Sequence, residues 1–226
     1  MNRIADLDLI LPSYNPPPGW EVKVIGKFKE IQSLFSSINF HLLIVSDGSI
    51  RGYEPETVAV VKQEIPGIRI IDYRPNRGKG YALREAVRHC QSEYIIYTDY
   101  DFPYTDESFE RVINTLFGGA DLVVAIRDRN YQKNLPSFRR FLSESSHLCN
   151  AIFLRLKIRD TQGGLKGFNQ VGKTVFLSTK VNSFLFDTEF IYKAQRKKLN
   201  IQAVSDMGFN VLKREMANFF SILFNK

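Results

Sequence analysis

Short apolar runs alternate along the first half of the chain with segments in which apolar residues recur every three or four positions. The runs predict β-strands at residues 7–11, 41–45, 68–72, 94–98 and 122–126. The periodic segments predict α-helices at residues 20–35, 56–65, 81–90 and 108–117. This alternation is typical of an α/β fold in which helices flank a mainly parallel central sheet.

The alternation ends after residue 126, and a different pattern follows. A long helix is predicted over residues 136–157, and a glycine-containing loop over residues 160–167. The remaining segments predict helices at residues 171–177, 188–198 and 214–224 and an extended segment at residues 201–204. Because no repeat and no long linker interrupts the chain, we expect one domain over residues 1–226.

The composition is that of an ordinary globular protein. Of 226 residues, 44% are hydrophobic, and 31 Lys and Arg against 24 Asp and Glu give a net charge of +7. No apolar run approaches the ~20 residues of a membrane span, and the two cysteines lack metal-binding spacing, so we expect a cytoplasmic protein. The positive charge allows nucleic acid, anionic lipid or a phosphorylated small molecule as the partner.

The polar motifs of the first half follow the predicted strands. They are Pro12-Ser13-Tyr14-Asn15, Ser46-Asp47-Gly48-Ser49, Asn76-Arg77-Gly78-Lys79-Gly80, Asp99-Tyr100-Asp101 and Arg127. In an open parallel sheet, ligands bind where the carboxyl ends of the strands converge. The motifs are therefore expected to lie around one site.

Asp99 and Asp101 are the most informative of these residues. Carboxylates at positions i and i+2 of an extended segment project to the same side, where they repel each other unless a cation lies between them. Oxygen ligands favour Mg²⁺ or Mn²⁺, with substrate phosphates completing the shell. A solvated acidic turn is the alternative.

The two other polar loops each have a structural and a functional interpretation. Asp47-Gly48 suits a tight turn, or Asp47 accepts hydrogen bonds from a base or a ribose. Gly78 and Gly80 suit a loop before a helix, or they let backbone amides and the Lys79 ammonium approach a phosphate.

In order, the motifs at residues 9–15, 45–49, 76–80 and 98–101 resemble the four signatures of the family-two glycosyltransferases. These are inverting enzymes with the nucleotide-diphospho-sugar transferase (GT-A) fold, which is Rossmann-like. Two further segments resemble the dolichyl-phosphate β-glucosyltransferases and their bacterial polyprenyl-phosphate relatives. They are residues 160–168, DTQGGLKGF, and residues 186–189, FDTE.

The resemblance implies metal-dependent transfer of a hexose, glucose first, from a nucleotide diphosphate, UDP first, to a polyprenyl phosphate. Residues 1–127 would form the nucleotide-binding half and residues 128–226 the acceptor-side half. A saccharide hydroxyl in surface-polysaccharide synthesis is the alternative acceptor. A non-enzymatic, basic nucleic-acid-binding domain is the rival from another class, and the acidic pair Asp99 and Asp101 argues against it.

The resemblance also implies roles for individual residues. Those expected around the donor are Pro12, Tyr14 and Asp47 at the nucleotide, Gly78 and Lys79 at the ribose-diphosphate, Arg127 at a phosphate, and Asp99 and Asp101 at the metal. Those expected around the sugar and the acceptor are Asp160, Gln162, Lys166, Asp187 and Glu189. For a hydroxyl acceptor, Asp187 is the first choice of general base and Glu189 the second.

Some positions depart from the family pattern. Pro16 replaces a usual acidic residue, Ser46 replaces the first of two aspartates, and Leu165 replaces a phenylalanine. These changes bear on the identities of donor and acceptor more than on the reaction class. The apolar C-terminal segment, with Lys213 and Arg214 before it, suggests peripheral membrane contact as an alternative to packing on the domain.

Overall fold

A computed structural model of the protein describes residues 5–127, 156, 158, 160, 161 and 163–206. The strands in this part are β1 (Ala5–Ser13), β2 (Ile38–Asp47), β3 (Arg69–Tyr73), β4 (Tyr94–Tyr97), β5 (Leu122–Arg127), β6 (Lys166–Asn169) and β7 (Ile201–Asp206). The helices are α1 (Trp20–Leu34), α2 (Pro55–Glu64), α3 (Lys79–His89), α4 (Asp106–Phe117), α5 (Gln170–Leu177) and α6 (Phe186–Arg196).

The described strands form one sheet in the order β3-β2-β1-β4-β6-β5-β7. β1 pairs in parallel with β2 and β4, β2 with β3, and β5 with β7, whereas β6 runs antiparallel to both of its neighbours. The predicted α/β fold with a mainly parallel sheet is confirmed. Because β1 lies between β2 and β4, the loops that follow these three strands lie side by side.

Helices cover both faces of the sheet, as buried parallel strands require. Along β1, Leu7, Leu9 and Leu11 belong to the core shared with α1, α2 and α4, whereas Ile10 belongs to the core shared with α3, α5 and α6. Since successive side chains of a strand point to opposite faces, this alternation explains why Leu9, Ile10 and Leu11 are apolar without a break. None of the described helices combines the length and apolar character needed to cross a bilayer.

A group of aromatic rings on the second face fixes the start of α6. Phe168 of β6 stacks on Phe176 of α5 with ring centroids 5.3 Å apart, and Phe176 meets Phe190 of α6 edge-on at 4.8 Å. Phe186, the first residue of α6, is fully buried beside the Tyr97 ring. Burying a phenylalanine side chain contributes about 2–3 kcal/mol, so the residues after Phe186 start from a firmly held position.

The glycine-containing loop predicted over residues 160–167 is not all loop, because β6 begins at Lys166. A side chain at position 167 would place its Cβ 2.6 Å from Leu116 Cδ1, so Gly167 is there to let α4 pack closely on the strand. A lysine and glycines hide the apolar alternation that marks the other strands. The helices predicted at residues 136–157 and 214–224, and the membrane contact suggested for the latter, lie outside the described residues.

Candidate active site

A cavity of about 770 Å³ opens where the loops after β1, β2 and β4 meet. Its lining residues are Pro12, Ser13, Tyr14, Asp47, Asn76, Gly78, Lys79, Ala82, Asp99, Tyr100, Asp101, Ser183, Phe184 and Asp187. The size lies within the range of about 300–1,000 Å³ that is usual for small-molecule sites. Eight of the residues predicted from sequence to form the site share this one cavity.

The first two loops are joined by Asn15. Its backbone has φ 45°, a left-handed conformation that asparagine tolerates better than most residues. The Asn15 amide donates to Ser49 Oγ at 3.0 Å, and the Asn15 side-chain oxygen accepts from the Ile50 amide at 2.8 Å. These two bonds join the loop after β1 to the loop after β2, a contact that the sequence reasoning did not use.

Asp47 organises the loop after β3. One carboxylate oxygen accepts from Tyr73 Oη and the Arg77 amide, both at 2.8 Å. The other accepts from Asn76 Nδ2 at 3.0 Å and the Gly78 amide at 2.9 Å. These four bonds use the usual acceptor capacity of a carboxylate. Asp47 therefore shapes the cavity wall, and its expected contact with a base or a ribose stays a prediction.

The glycines of the Lys79 loop also have structural partners. The Gly78 amide donates to Asp47, and the Gly80 amide donates to the Asn182 carbonyl at 2.8 Å. A Cβ at position 78 would lie 2.5 Å from Asn182 O, and one at position 80 would lie 2.4 Å from Val181 O. The glycines thus make room for residues 181–182, and both of their amides have acceptors within the protein.

Lys79 places its ammonium in the cavity. Nζ lies 2.6 Å from Asp99 Oδ1. Burial acts to lower the pKa of Lys79, but attraction to Asp99, Asp187 and Asp101 outweighs it, and the pKa lies above its ordinary value. The side chain therefore carries its positive charge. An anionic ligand in the cavity can attract the Lys79 ammonium away from the Asp99 carboxylate.

The segment that precedes β6 passes close to Asp99. A Cβ at position 164 would lie 2.8 Å from Asp99 Oδ2, and one at position 163 would lie 2.1 Å from the Ala125 carbonyl oxygen. The Gly164 amide donates to Tyr104 Oη. Gly163-Gly164 thus passes between β5 and Asp99 only because both residues lack side chains.

Asp99 and Asp101 suit a divalent cation by the chemistry of their oxygens. Both line the cavity, and Asp99 already attracts a positive group in the form of the Lys79 ammonium. Within the described ranges, no three His, Cys, Asp or Glu residues cluster as a metal site. Mg²⁺ is commonly bound by two carboxylates, with water and phosphates as its remaining ligands. The residues present therefore fit the predicted Mg²⁺ or Mn²⁺.

Asp187 faces the cavity in the first turn of α6, where the helix dipole favours an anion. Lys166 Nζ lies 2.8 Å from its Oδ1, and Tyr97 Oη donates to the same oxygen. Burial lowers the pKa of Lys166, although the charge of Asp187 acts to raise it. Burial also raises the pKa of Tyr97, and the nearby charge of Asp187 raises it further. Lys166 is fully buried behind Asp187 and is not among the cavity-lining residues.

The remaining residues predicted from the sequence are spread more widely. Asp160 is buried, and its charge acts on Lys166. Arg127 is the last residue of β5, which ends at the same edge of the sheet as β4. Gln162 lies outside the described residues.

Glu189 does not line the cavity and has structural partners instead. Its carboxylate accepts from the Lys180 and Val181 amides, each at 2.8 Å, and pairs with Lys193 at 2.8 Å. Burial acts to raise the pKa of Glu189, but the hydrogen bonds from Lys193 and the two amides hold it below its usual range. A carboxylate bound in this way is a weak base.

The family model for glycosyl transferase family 2 matches residues 9–181. A dolichyl-phosphate beta-glucosyltransferase of Trichomonas vaginalis is 27% identical over 204 residues, which cover 86% of this chain and 63% of that protein. The Saccharomyces cerevisiae protein of the same name is 26% identical over 218 residues, 88% of this chain and 65% of that one. The chain thus spans slightly less than two thirds of the length of these relatives.

Solved structures share the fold. Glucosyl-3-phosphoglycerate synthase from Mycobacterium tuberculosis, in complex with Mn²⁺, UDP and phosphoglyceric acid, superposes with a TM-score of 0.62 at 14% identity, over 89% of this chain and 68% of that one. A Pyrobaculum calidifontis mannosyltransferase in complex with GDP-Man and Mn²⁺ superposes with a TM-score of 0.59 at 16% identity, over 88% of this chain and 55% of that one. The predicted GT-A-like fold is confirmed. Since the family model covers well over half of its length, the chain belongs to glycosyl transferase family 2.

Proposed function

We propose that the protein transfers a hexose, with inversion, from a nucleotide diphosphate to a polyprenyl phosphate. UDP-glucose is the first choice of donor. The similarity to dolichyl-phosphate beta-glucosyltransferases supports the sugar and the kind of acceptor. The Mn²⁺ and UDP named for the mycobacterial synthase support the nucleotide and the metal.

The observation that carries the proposal is the charge arrangement of the cavity. Lys79 begins α3, Asp99 and Asp101 follow β4, and Asp187 comes from α6. A fixed ammonium next to two carboxylates is suited to a diphosphate bound through a divalent cation. When bound at Asp99 and Asp101, such a cation would neutralise charge on the departing diphosphate.

On the donor side, the protein's own contribution is orientation and charge. Asp47 fixes the loop that carries Lys79. The Lys79 ammonium can exchange Asp99 for a phosphate oxygen and stabilise the negative charge that develops as the diphosphate leaves. Tyr14, which is 55% exposed at the cavity mouth, offers an aromatic face to the nucleotide base.

On the acceptor side, a polyprenyl phosphate needs positioning more than activation. One phosphate oxygen forms a bond to the anomeric carbon, the bond from that carbon to the diphosphate oxygen breaks, and the electron pair leaves with the diphosphate. Because the attacking oxygen is already anionic, no strong general base is required. Holding it behind the anomeric carbon supplies the rate enhancement.

A saccharide hydroxyl is the second candidate acceptor, and Asp187 is the observation that favours it. The side chain lines the cavity, and its Oδ1 lies 2.8 Å from Nζ of the buried Lys166. An ionised carboxylate at this position could accept the proton of an attacking hydroxyl.

The proposal also covers partners and the division of the chain. Residues 1–127 would provide the nucleotide side and residues 128–226 the acceptor side, and both halves contribute to the cavity lining. A lipid acceptor implies work at a membrane surface, so we infer a cytoplasmic protein with peripheral membrane contact. Nucleic acid is not an expected partner.

A donor and acceptor screen tests the proposal. The protein is incubated with UDP- or GDP-hexoses and Mn²⁺, with either a polyprenyl phosphate or oligosaccharides, and products are identified by mass spectrometry. We expect a glucosyl-phosphoryl-polyprenol from UDP-glucose, and no product when Mn²⁺ is removed with EDTA. Transfer only to oligosaccharides would favour the second candidate, and failure of every donor to transfer would contradict both.

A further inference from the structure

The segment between α5 and α6, residues 180–185, forms one side of the cavity. Ser183 and Phe184 line it, although the segment has neither helical nor strand structure. Phe184 is 73% exposed and the adjacent Leu185 is 58% exposed. A loop of this kind would ordinarily be mobile unless its backbone groups are bound elsewhere.

Arg84 binds this segment from α3. Its guanidinium donates to the Val181 carbonyl at 2.7 Å, to Thr179 Oγ1 at 3.3 Å and to Asn182 Oδ1. The residue is only 5% exposed. Burying a guanidinium is costly unless its donors are well satisfied, and here these hydrogen bonds go to residues 179–182.

Glu189 binds the same segment from α6. Its Oε2 accepts from the amides of Lys180 and Val181, and its Oε1 pairs with Lys193. Hydrogen bonds from amides to a charged oxygen are stronger than neutral ones. The amide of Val181 and its carbonyl are therefore held by opposite charges on two different helices.

A third attachment joins the segment to the donor side. The Gly80 amide donates to the Asn182 carbonyl at 2.8 Å, directly after Lys79. The 180–185 segment thus has three anchors, one of them on the loop that carries the cavity ammonium. The anchors bind residues 180–182, and the buried Phe186 follows the segment, so Phe184 and Leu185 lie between two held points of the chain.

We propose that Arg84 and Glu189 are positioning residues that hold the 180–185 segment as the acceptor-binding wall of the cavity. The acceptor that fits this wall has a phosphate and a hydrocarbon chain, because the charged cavity adjoins the exposed side chains of Phe184 and Leu185. The acceptor phosphate enters the part of the cavity that Ser183 lines, because the donor diphosphate takes Lys79, and the first part of the chain lies on Phe184. This inference rests on the proposed function.

The test compares steady-state kinetics of four proteins: wild type, Glu189→Ala, Glu189→Gln and Phe184→Ser. We expect Glu189→Ala to raise the KM for a polyprenyl phosphate about tenfold, which is the effect of a loss of about 1.4 kcal/mol. Its Kd for UDP-glucose with Mn²⁺ should change less than twofold. Glu189→Gln keeps an acceptor oxygen and should recover part of the loss, and Phe184→Ser should raise the same KM without any effect on folding.

The matched control is Glu85→Gln. Glu85 lies next to Arg84 in the sequence and pairs with Arg88 and His89, but its described bonds do not reach the 180–185 segment. Its kinetics should equal those of the wild type. Hydrogen exchange at the Lys180 and Val181 amides should be faster in Glu189→Ala and unchanged in Glu85→Gln.

The outcomes separate this inference from the proposed function. A wild type that transfers to the lipid phosphate, with an unchanged KM in Glu189→Ala and Phe184→Ser, overturns the positioning role alone. Equal losses of donor binding and acceptor KM also overturn it, since they would indicate a general structural defect. A wild type that transfers to no lipid phosphate overturns the proposed function and this inference together.

Discussion

At the scale of residues, two aspartates of the cavity each have a lysine partner, and the two pairs differ in exposure. Lys79 Nζ lies 2.6 Å from Asp99, and the Lys79 side chain is 18% exposed. Lys166 Nζ lies 2.8 Å from Asp187, and the Lys166 side chain is fully buried. An entering anion can therefore reach Lys79 but not Lys166. We assign Lys79 to ligand binding and Lys166 to holding Asp187.

Asp101→Asn should remove most of the metal-dependent part of nucleotide binding. The amide keeps the size of the side chain but lacks the charge that attracts a hard cation. In titration calorimetry we expect the Kd for UDP with Mn²⁺ to rise about tenfold or more, equal to about 1.4 kcal/mol. Asp106→Asn, an equal charge change at the start of α4, is the control. An Mn²⁺-dependent affinity that is unchanged in Asp101→Asn contradicts the metal assignment.

Breaking the buried pair of Lys166 and Asp187 should lower the free energy of unfolding, and the losses from the two single substitutions should not add. Lys166→Met leaves Asp187 without its ammonium, and Asp187→Asn leaves an unpaired buried ammonium. Removal of one partner of a buried pair typically costs about 3–5 kcal/mol. We expect urea unfolding to show that the double variant is more stable than the sum of the two single losses implies. Strict additivity would show that the two charges do not interact.

The double variant also distinguishes the acceptors. With Lys166→Met as the background, Asp187→Asn removes a carboxylate without leaving a buried charge. A phosphate acceptor should retain turnover within about tenfold, whereas loss of a general base typically costs about 10²–10⁴-fold. The measurement is kcat with each acceptor at saturating donor, relative to Lys166→Met alone. A loss above 10²-fold with the lipid phosphate contradicts the account of an acceptor that needs no base.

At the scale of elements, the loops are fitted to one another by close backbone approach. Gly48 has φ 72°, and a Cβ there would lie 2.2 Å from the Asn76 amide nitrogen. Gly67 has φ 83° with nothing within 4 Å of such a Cβ. The two positions share backbone strain but differ in available space.

Gly48→Ala should therefore destabilise the protein more than Gly67→Ala. Strain in the left-handed region costs about 1–2 kcal/mol, and overpacking adds about 1–3 kcal/mol at position 48 alone. We expect urea midpoints to show a loss of about 1–2 kcal/mol for Gly67→Ala and about 2–5 kcal/mol for Gly48→Ala. Equal losses would mean that the Asn76 loop moves freely, against its role as a fixed wall.

The elements whose patterns are local could be predicted from the sequence. The apolar runs at 7–11 and 122–126 correspond to β1 and β5, and the polar motifs after the strands meet in one cavity. β6 was missed because Lys166 and Gly167 conceal its alternation. Lys166 is fully buried and pairs with Asp187, and that contact is not visible in a local pattern.

The positioning residues could not be predicted for a related reason. Arg84 bonds to residues 95–98 positions away in the chain, and on its own it resembles any arginine on a solvated helix face. Asp47 likewise bonds to residues that lie 26–31 positions away in the chain. Only the folded structure reveals these bonds. A single sequence contains the residue types of the site but not their partners.

At the scale of the whole molecule, the net charge of +7 leaves a polyanion as the rival ligand. Thermal unfolding distinguishes a nucleic-acid ligand from the proposed nucleotide donor. At a UDP concentration of 100 Kd with Mn²⁺, binding should add about 2.7 kcal/mol, or about 5–10 °C in Tm. An oligonucleotide should give no shift at either low or high salt. A large shift with the oligonucleotide at low salt that vanishes at high salt would favour the rival.

The central claim is that the cavity binds an activated sugar through a divalent cation held by Asp99 and Asp101. A crystal structure grown with UDP and Mn²⁺ tests it most directly. We predict anomalous density for manganese in contact with both carboxylates, and Lys79 moved from Asp99 to the diphosphate. A cavity without nucleotide under saturating conditions, or manganese bound away from both aspartates, would contradict the account.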